Sequence, residues 1–327
     1  MSYIESNNSR KPYWLIPISF LLGLLLITLN IFFNSLSPVE PEYWIDLPRL
    51  SNIQRTVAGL VVFVLAGFFG MKLTNYFILL RVYGRALFFM LLLIFTCSFF
   101  YEWDRFIPCI LLELWALACL YSTYQQSSAP DHCFSLGLSL GIAAMIWLPS
   151  LWLLPFFIIE LYFMRSFSLR NILAIIIGAI TPLWIFIPVF TALPTLGLKD
   201  YYIENLNLLT SLDFIWHYNE GYFFWYLYPL VLILIHIIGL VYLYSSYWQE
   251  RVKNRTLLFS ASRTTTYLMT LAMFTGPSYK GMLFLSIIPL GILSARALSK
   301  VRHKLDRYLI TIIIILSIAS IILPLFL

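Results

Sequence analysis

Asp46, Glu102 and Asp104 are the carboxylates of this chain best suited to work as a general base. Asp46 lies in SPVEPEYWIDLPRLSNIQR, and the other two lie in the Tyr-Glu-Trp-Asp-Arg corner at 101–105. Both are polar connections between long apolar runs. A carboxylate held at a membrane surface can take a proton from an acceptor hydroxyl. Arg49 and Arg105 follow close behind in sequence, and a guanidinium can hold and neutralise a departing phosphate. A base beside a phosphate-holding cation is what sugar transfer from a polyprenyl-phosphate donor requires. The competing reading is that these loops are acidic only because basic residues are selected for the other side.

Three further ionisable residues fall inside apolar runs. Glu113 stands in LLELWALACLY, Glu160 in FFIIELYFMR and His236 in LVLILIHIIGL. A charge at such a depth costs on the order of 3 kcal/mol even on the mildest scales. Glu113 is therefore read either as a proton relay or substrate contact, or as a carboxyl hydrogen-bonded to a neighbouring helix. Glu160, five residues before Arg165, is expected to pair with it. His236 reads as a hydrogen-bonded packing residue. Arg49, Arg105, Glu113 and Glu160 are the candidate substrate-binding residues, and Asp46, Glu102 and Asp104 the candidate catalytic ones.

The elements that position these residues follow from composition. Of 327 residues, 61% are apolar and only 11% charged, against roughly 25% charged in soluble domains. Mean hydropathy is +0.86. The apolar runs are long and do not alternate, which excludes a β-barrel and leaves an all-α polytopic transmembrane bundle. The net charge of +6 is explained by basic inner loops, so no nucleic acid partner is expected. Cys97, Cys109, Cys119 and Cys133 have no ligand-like spacing, and neither metal nor cofactor is expected. No P-loop, HExxH, nucleophile elbow or Rossmann glycine pattern occurs. The run from Trp14 to about Phe33 has no small-residue cleavage site and reads as a retained anchor. The whole of 1–327 reads as a single integral membrane domain.

Apolar runs fall at about 14–34, 56–71, 86–101, 106–124, 171–192, 223–246 and 308–327. Two pairs of shorter runs, 134–148 with 150–164 and 264–276 with 281–295, are each two thin spans or one re-entrant hairpin. The count is seven to eleven crossings, with about eleven expected. With the N-terminus inside, all of the 21 Lys and Arg residues except Arg49, Arg55, Arg105, Lys199 and Lys280 fall on the inner side. Nine acids (Glu40, Glu42, Asp46, Glu102, Asp104, Asp200, Glu204, Asp213 and Glu220) fall outside. That bias puts the N-terminus in the cytoplasm and the C-terminus out. The outer loops are about 35–55, 101–105 and 193–222, and the largest inner loop is about 247–263. Gly137-xxx-Gly141 and Ala66-xxx-Gly70 are spaced for close helix contact.

Residues 133–182 carry a resemblance. Gly137 and Gly141, Pro149, the turn Arg165-Ser166-Phe167-Ser168-Leu169-Arg170, and Gly178 with Pro182 resemble an uncharacterised family of polytopic inner-membrane proteins of Bacteroidota. Ile172 stands near where that family commonly has tryptophan. LTNYFILLRVYGRALFF at 73–89 and LSIIPLGILSARAL at 285–298 agree more weakly. The resemblance implies a multi-pass bundle in the bacterial inner membrane and carries no catalytic residues. A looser architectural likeness is to the GT-C glycosyltransferases, in many-span layout, cytoplasmic N-terminus and acidic first outer loop. The paired acidic signature of those enzymes is interrupted here, since Glu40 and Glu42 are separated by Pro41.

The expected function is envelope biogenesis at the inner membrane, with transfer of a sugar from a polyprenyl-phosphate donor at the outer face. The alternatives are a transporter or flippase for a lipid-linked or hydrophobic solute, centred on Glu113 and Glu160, and a non-catalytic scaffold of an envelope complex. Expected partners are membrane lipid, a polyprenyl-phosphate sugar and envelope proteins.

Overall fold

Apolar runs without alternation fold as helices because an isolated helix satisfies its own backbone. The computed structural model bears this out over the residues it describes, 52–80, 82–96, 106–192, 223–275 and 278–299, among which no strand occurs. The helices are α1 (Asn52–Tyr76), α2 (Val82–Thr96), α3 (Cys109–Ser122), α4 (Pro130–Ile146), α5 (Leu153–Phe163), α6 (Leu169–Ala192), α7 (Phe223–Ser245), α8 (Val252–Phe274), α9 (Tyr279–Leu285) and α10 (Ile287–Leu298). The expected runs at 14–34 and 308–327 lie outside the described residues. So do the polar segments 35–51, 101–105 and 193–222, whereas Asn52–Arg55 opens α1.

The first thin pair is two helices. Trp147 is extended (φ −145°, ψ 101°) and ends α4. Pro149, which has no N–H to give, then opens a 3-10 turn, Leu148–Trp152, that leads into α5. The second pair departs from expectation. Instead of a 247–263 loop followed by a short leg, the chain re-enters helix at Val252 and α8 runs for 23 residues. The basic residues read as loop are accommodated on that helix. Lys253 lies over Phe77, Arg255 over Tyr247 and Arg263 over Phe163. The return leg is α9 and α10, bent by 41° at Ser286.

α10 is the core element. Every residue from Ile287 to Leu298 except Arg296 is buried, and α2, α7 and α8 pack around it. The most extensive contact joins α4 to α6. There a Cβ on Gly137 would strike the Ile175 carbonyl oxygen, one on Gly141 that of Ala179, and one on Gly178 that of Phe134. The two backbones touch, which any larger side chain at these positions would prevent.

Four turns gather at one end of the bundle. The Gln125 N–H donates to Met164 O, and the Ser166 hydroxyl to Thr123 Oγ1. Buried Asn171 accepts from the Ala129 N–H at 3.1 Å and donates to Ser166 O at 2.7 Å. Asn254 donates to Ile78 O, and Arg296 pairs with Glu250. Thus the turns at 77–80, 123–129, 164–168 and 246–251 share a face, with exposed Arg165, Arg170, Arg251 and Lys253 upon it. Three of these turns hold a non-glycine residue in the left-handed region, Ile78, Gln125 and Arg165. The Leu79 N–H to Thr74 O and Ser166 N–H to Leu161 O bonds identify two of them as helix-closing Schellman turns.

The peripheral helices turn apolar faces outward. On α1 the exposed set is Val57, Val61, Leu65, Phe68, Phe69 and Tyr76. On α6 it includes Leu173, Ile177, Ile180 and Trp184, and on α7 Leu230, Leu234, Ile237 and Val241. Inside, α8 buries Ser260, Ser262, Thr264 and Thr265. The two threonine hydroxyls back-bond to the carbonyls of Ser260 and Ala261, which is how a helix carries hydroxyls away from water. By length and composition α1 can cross a bilayer over Val57–Tyr76, and the bent α9–α10 pair counts as a second span if taken as one.

Candidate functional site

Helix direction sorts the candidate residues by depth. α1, α3, α5 and α7 run toward the basic turns, while α2, α4, α6 and α8 run away from them. Asn52, Thr96, Phe106, Ala192 and Phe223, which flank the polar segments outside the described residues, therefore lie at the far end. At that end Phe106 meets Trp147 and Phe284, with ring centroids 6.0 and 5.2 Å away. The Trp147 ring also takes the place a side chain on Gly281 would need. The break after α4 thus packs directly on α9. Asp46, Arg49, Glu102, Asp104 and Arg105 lie outside the described residues.

Glu113 is just over one turn into α3 from its far-end start, since Cys109 opens the helix. It is 1% exposed, and neither carboxyl oxygen has a hydrogen-bond partner. The sequence reading expected Glu113 inside the bundle and bonded to another helix. The first half holds, and the second does not. Ser150, in the 3-10 turn at the same far end, is also buried with an unpartnered hydroxyl. Buried polar atoms without partners are uncommon in native proteins, and each calls for a role.

Glu160 sits deep on the basic side of α5, fully buried. Its partner is Arg263 of α8, Nε to Oε1 at 2.5 Å and Nη2 to Oε2 at 2.8 Å. The expected pairing with Arg165 is thereby corrected. Helical neighbours are three or four residues apart. A residue five positions on points elsewhere, and α5 ends at Phe163, leaving Arg165 exposed in the turn. Arg263 is further held by the Phe163 ring, 4.0 Å from its guanidinium carbon. Both Glu160 oxygens are engaged, so this residue joins α5 to α8. The Tyr121 hydroxyl, buried and unpartnered, lies within electrostatic range of Glu160, Arg263 and Glu113.

Sequence reasoning missed Arg263 as a site residue because it was placed in a loop. One signal was available. Arg263 has Phe259, Ser260, Thr266 and Tyr267 at helical spacing and no acid among them, so its counter-charge had to come from another segment. A second, part-buried ion pair, Arg296 Nη2 to the two Glu250 oxygens at 2.6 and 2.7 Å, ties the end of α10 to the turn after α7. His236 does pack as expected, bonding Thr266 of α8 through Nε2 at 2.9 Å.

The absence of a partner for Glu113 makes a prediction. Glu113→Leu should leave folding unharmed or improve it, since removing an unsatisfied buried polar group relieves about 1–3 kcal/mol. Thermal midpoints of Glu113→Leu and Glu113→Gln in detergent check this. A large drop for the leucine variant would mean that the carboxyl is held by a bond after all.

The family model described as a family of unknown function, DUF6427, matches residues 45–324. No curated protein matches this chain, nor does any solved structure.

Proposed function

We propose that this chain, which belongs to the DUF6427 family, is a multi-pass inner-membrane protein of envelope biogenesis that transfers a sugar from a polyprenyl-phosphate donor at the outer face. The membrane part rests on the inversion of polarity, with apolar stripes outward on α1, α6 and α7 and hydroxyls and ion pairs inward. In water such faces would be unstable contacts, whereas in lipid they are the expected exterior. About eleven crossings follow from the apolar runs of the full sequence, and the cytoplasmic N-terminus and outer C-terminus from its charge bias. The gathering of basic turns at one end agrees with that bias.

One observation carries the catalytic part. The described residues flanking 35–51, 97–105 and 193–222 all lie at the end opposite the basic turns. Asp104 is two residues and Glu102 four residues from Phe106 in sequence, a tether of at most about 3.6 Å per residue. Asp46 is six residues from Asn52. Carboxylates and arginines tethered to one end of a bundle can serve one lipid-anchored donor, whose phosphate must stay at the interface while its tail stays in lipid. A carboxylate among Asp46, Glu102 and Asp104 then takes the acceptor's proton, and Arg49 or Arg105 meets the departing phosphate. Loss of an envelope glycan in Asp46→Asn or Asp104→Asn, at unchanged protein level, tests this reading.

A second reading has its own support. The interrupted helix α9–α10 packs on the turn between α4 and α5 at Trp147 and Gly281, and Glu113 of α3 is buried without a partner. Discontinuous helices around a buried polar group are a transporter arrangement. Transport of a lipid-linked solute would survive Asp104→Asn and fail in Glu113→Gln.

A further inference from the structure

The exposed apolar stripe of α7 runs into a pair of arginines. It passes through Leu234, Ile237, Val241 and Tyr244 at helical spacing toward the basic turns. Four residues beyond Tyr244 comes Trp248, 89% exposed, in the 3-10 turn Tyr247–Gln249. The Trp248 ring meets that of Tyr247 edge-on, with centroids 5.1 Å apart. The Arg255 guanidinium lies over the same Tyr247 ring, 3.9 Å from its centroid. Arg251 caps the start of α8 one turn before Arg255, whose N–H donates to the Arg251 carbonyl at 2.9 Å. The nearest acid in sequence, Glu250, gives both oxygens to Arg296. Neither Arg251 nor Arg255 has a carboxylate partner among the described residues.

We propose that the α7–α8 turn binds the headgroup of an anionic phospholipid of the inner leaflet, with the lipid's phosphate on Arg251 and Arg255 and its acyl chain against α7. The inference rests on the membrane reading given above, and concerns the face opposite the proposed transfer site. Charge complementarity names the occupant. Two guanidiniums one turn apart, with the local acid already engaged, leave a positive site that a phosphate satisfies through charge-assisted hydrogen bonds. The Tyr247 ring holds one of them in place, which lowers the entropy lost on binding. The apolar stripe that ends beside them suits an acyl chain, so the phosphate is that of a lipid. Trp248 stands between stripe and arginines, at the interfacial depth that tryptophan prefers.

The test uses the full-length protein in phosphatidylcholine bilayers carrying a small fraction of lipid brominated near the headgroup end of its chains, which quenches tryptophan on contact. The Trp248 contribution is the difference between the wild-type protein and Trp248→Phe. Brominated phosphatidylglycerol should quench it at roughly twenty-five-fold lower mole fraction than brominated phosphatidylcholine, about fivefold for each basic side chain. Arg251→Gln with Arg255→Gln should bring the two lipids level. Arg165→Gln with Arg170→Gln, which removes the same charge from another turn of that face, should leave the preference in place. Equal quenching by both lipids in the wild-type protein would overturn the inference. So would a preference that survives the first pair of replacements, or one that falls as far with the second pair. A Trp248 contribution that neither lipid quenches, while other tryptophans are quenched, would overturn it too. Absence of quenching by either lipid across all tryptophans would instead overturn the membrane reading itself.

Discussion

Arg263→Ala is expected to destabilise the fold by about 3–5 kcal/mol, the usual cost of stripping one partner from a buried ion pair. Glu160 is fully buried and gives both oxygens to Arg263. Without the guanidinium its buried charge loses the partner that engages both oxygens. Glu160→Ala should cost less. Arg263 keeps 30% of its side chain exposed, so it can hydrate, and the Phe163 ring still holds it. The double replacement Glu160→Met with Arg263→Met should recover most of the loss, because well-packed apolar side chains often match a buried pair. Unfolding midpoints in detergent give the order, with Arg263→Ala lowest and the double variant above both single ones. A double variant as poor as Arg263→Ala would show that the pair does more than join α5 to α8.

Asp104→Asn and Asp46→Asn should lower glycan transfer by about 10²–10⁴-fold, the usual contribution of a positioned general base. Asparagine keeps the shape of aspartate and removes its basicity, so protein level should not fall. Arg105→Ala should act differently. If it meets the donor phosphate, its loss removes a charge-assisted hydrogen bond of about 1.5–3 kcal/mol, read as poorer donor use at unchanged thermal midpoint. The rival account, in which these residues form exposed ion pairs in solvated loops, allows each at most about 1 kcal/mol. The assay is incorporation of labelled sugar into envelope glycan in membranes holding equal amounts of each variant. Full activity in both Asp46→Asn and Asp104→Asn would leave the transporter reading, for which Glu113→Gln is the decisive variant.

Most helix positions were legible because an apolar helix, which satisfies its own backbone, leaves one signal, a long apolar run. The run at 223–246 became α7 almost to the residue, and that at 171–192 became α6 despite Pro182 and Pro188. The small-residue spacing of Gly137 and Gly141 was legible for the same reason, since only backbone contact explains it. What failed was the polar part. Lys253, Arg255 and Arg263 read as loop because charge was taken to mean water. In the fold aromatic rings and Glu160 receive them, and those partners are distant in sequence. Glu113 was legible as buried, but whether a partner reaches it depends on packing between helices, which no local pattern records. Arg165 misled because proximity along the chain was read as proximity across a helix face.

The central claim is a bundle whose basic turns face the cytoplasm and whose acidic segments face outward. It is tested most directly by cysteine labelling with an impermeant maleimide, in a chain whose four native cysteines are replaced by alanine. Ser168→Cys, in the turn between α5 and α6, should react only after the membrane is opened. Ser37→Cys, in the first acidic segment, should react in intact spheroplasts. Labelling of Ser168→Cys from outside intact spheroplasts would contradict the account.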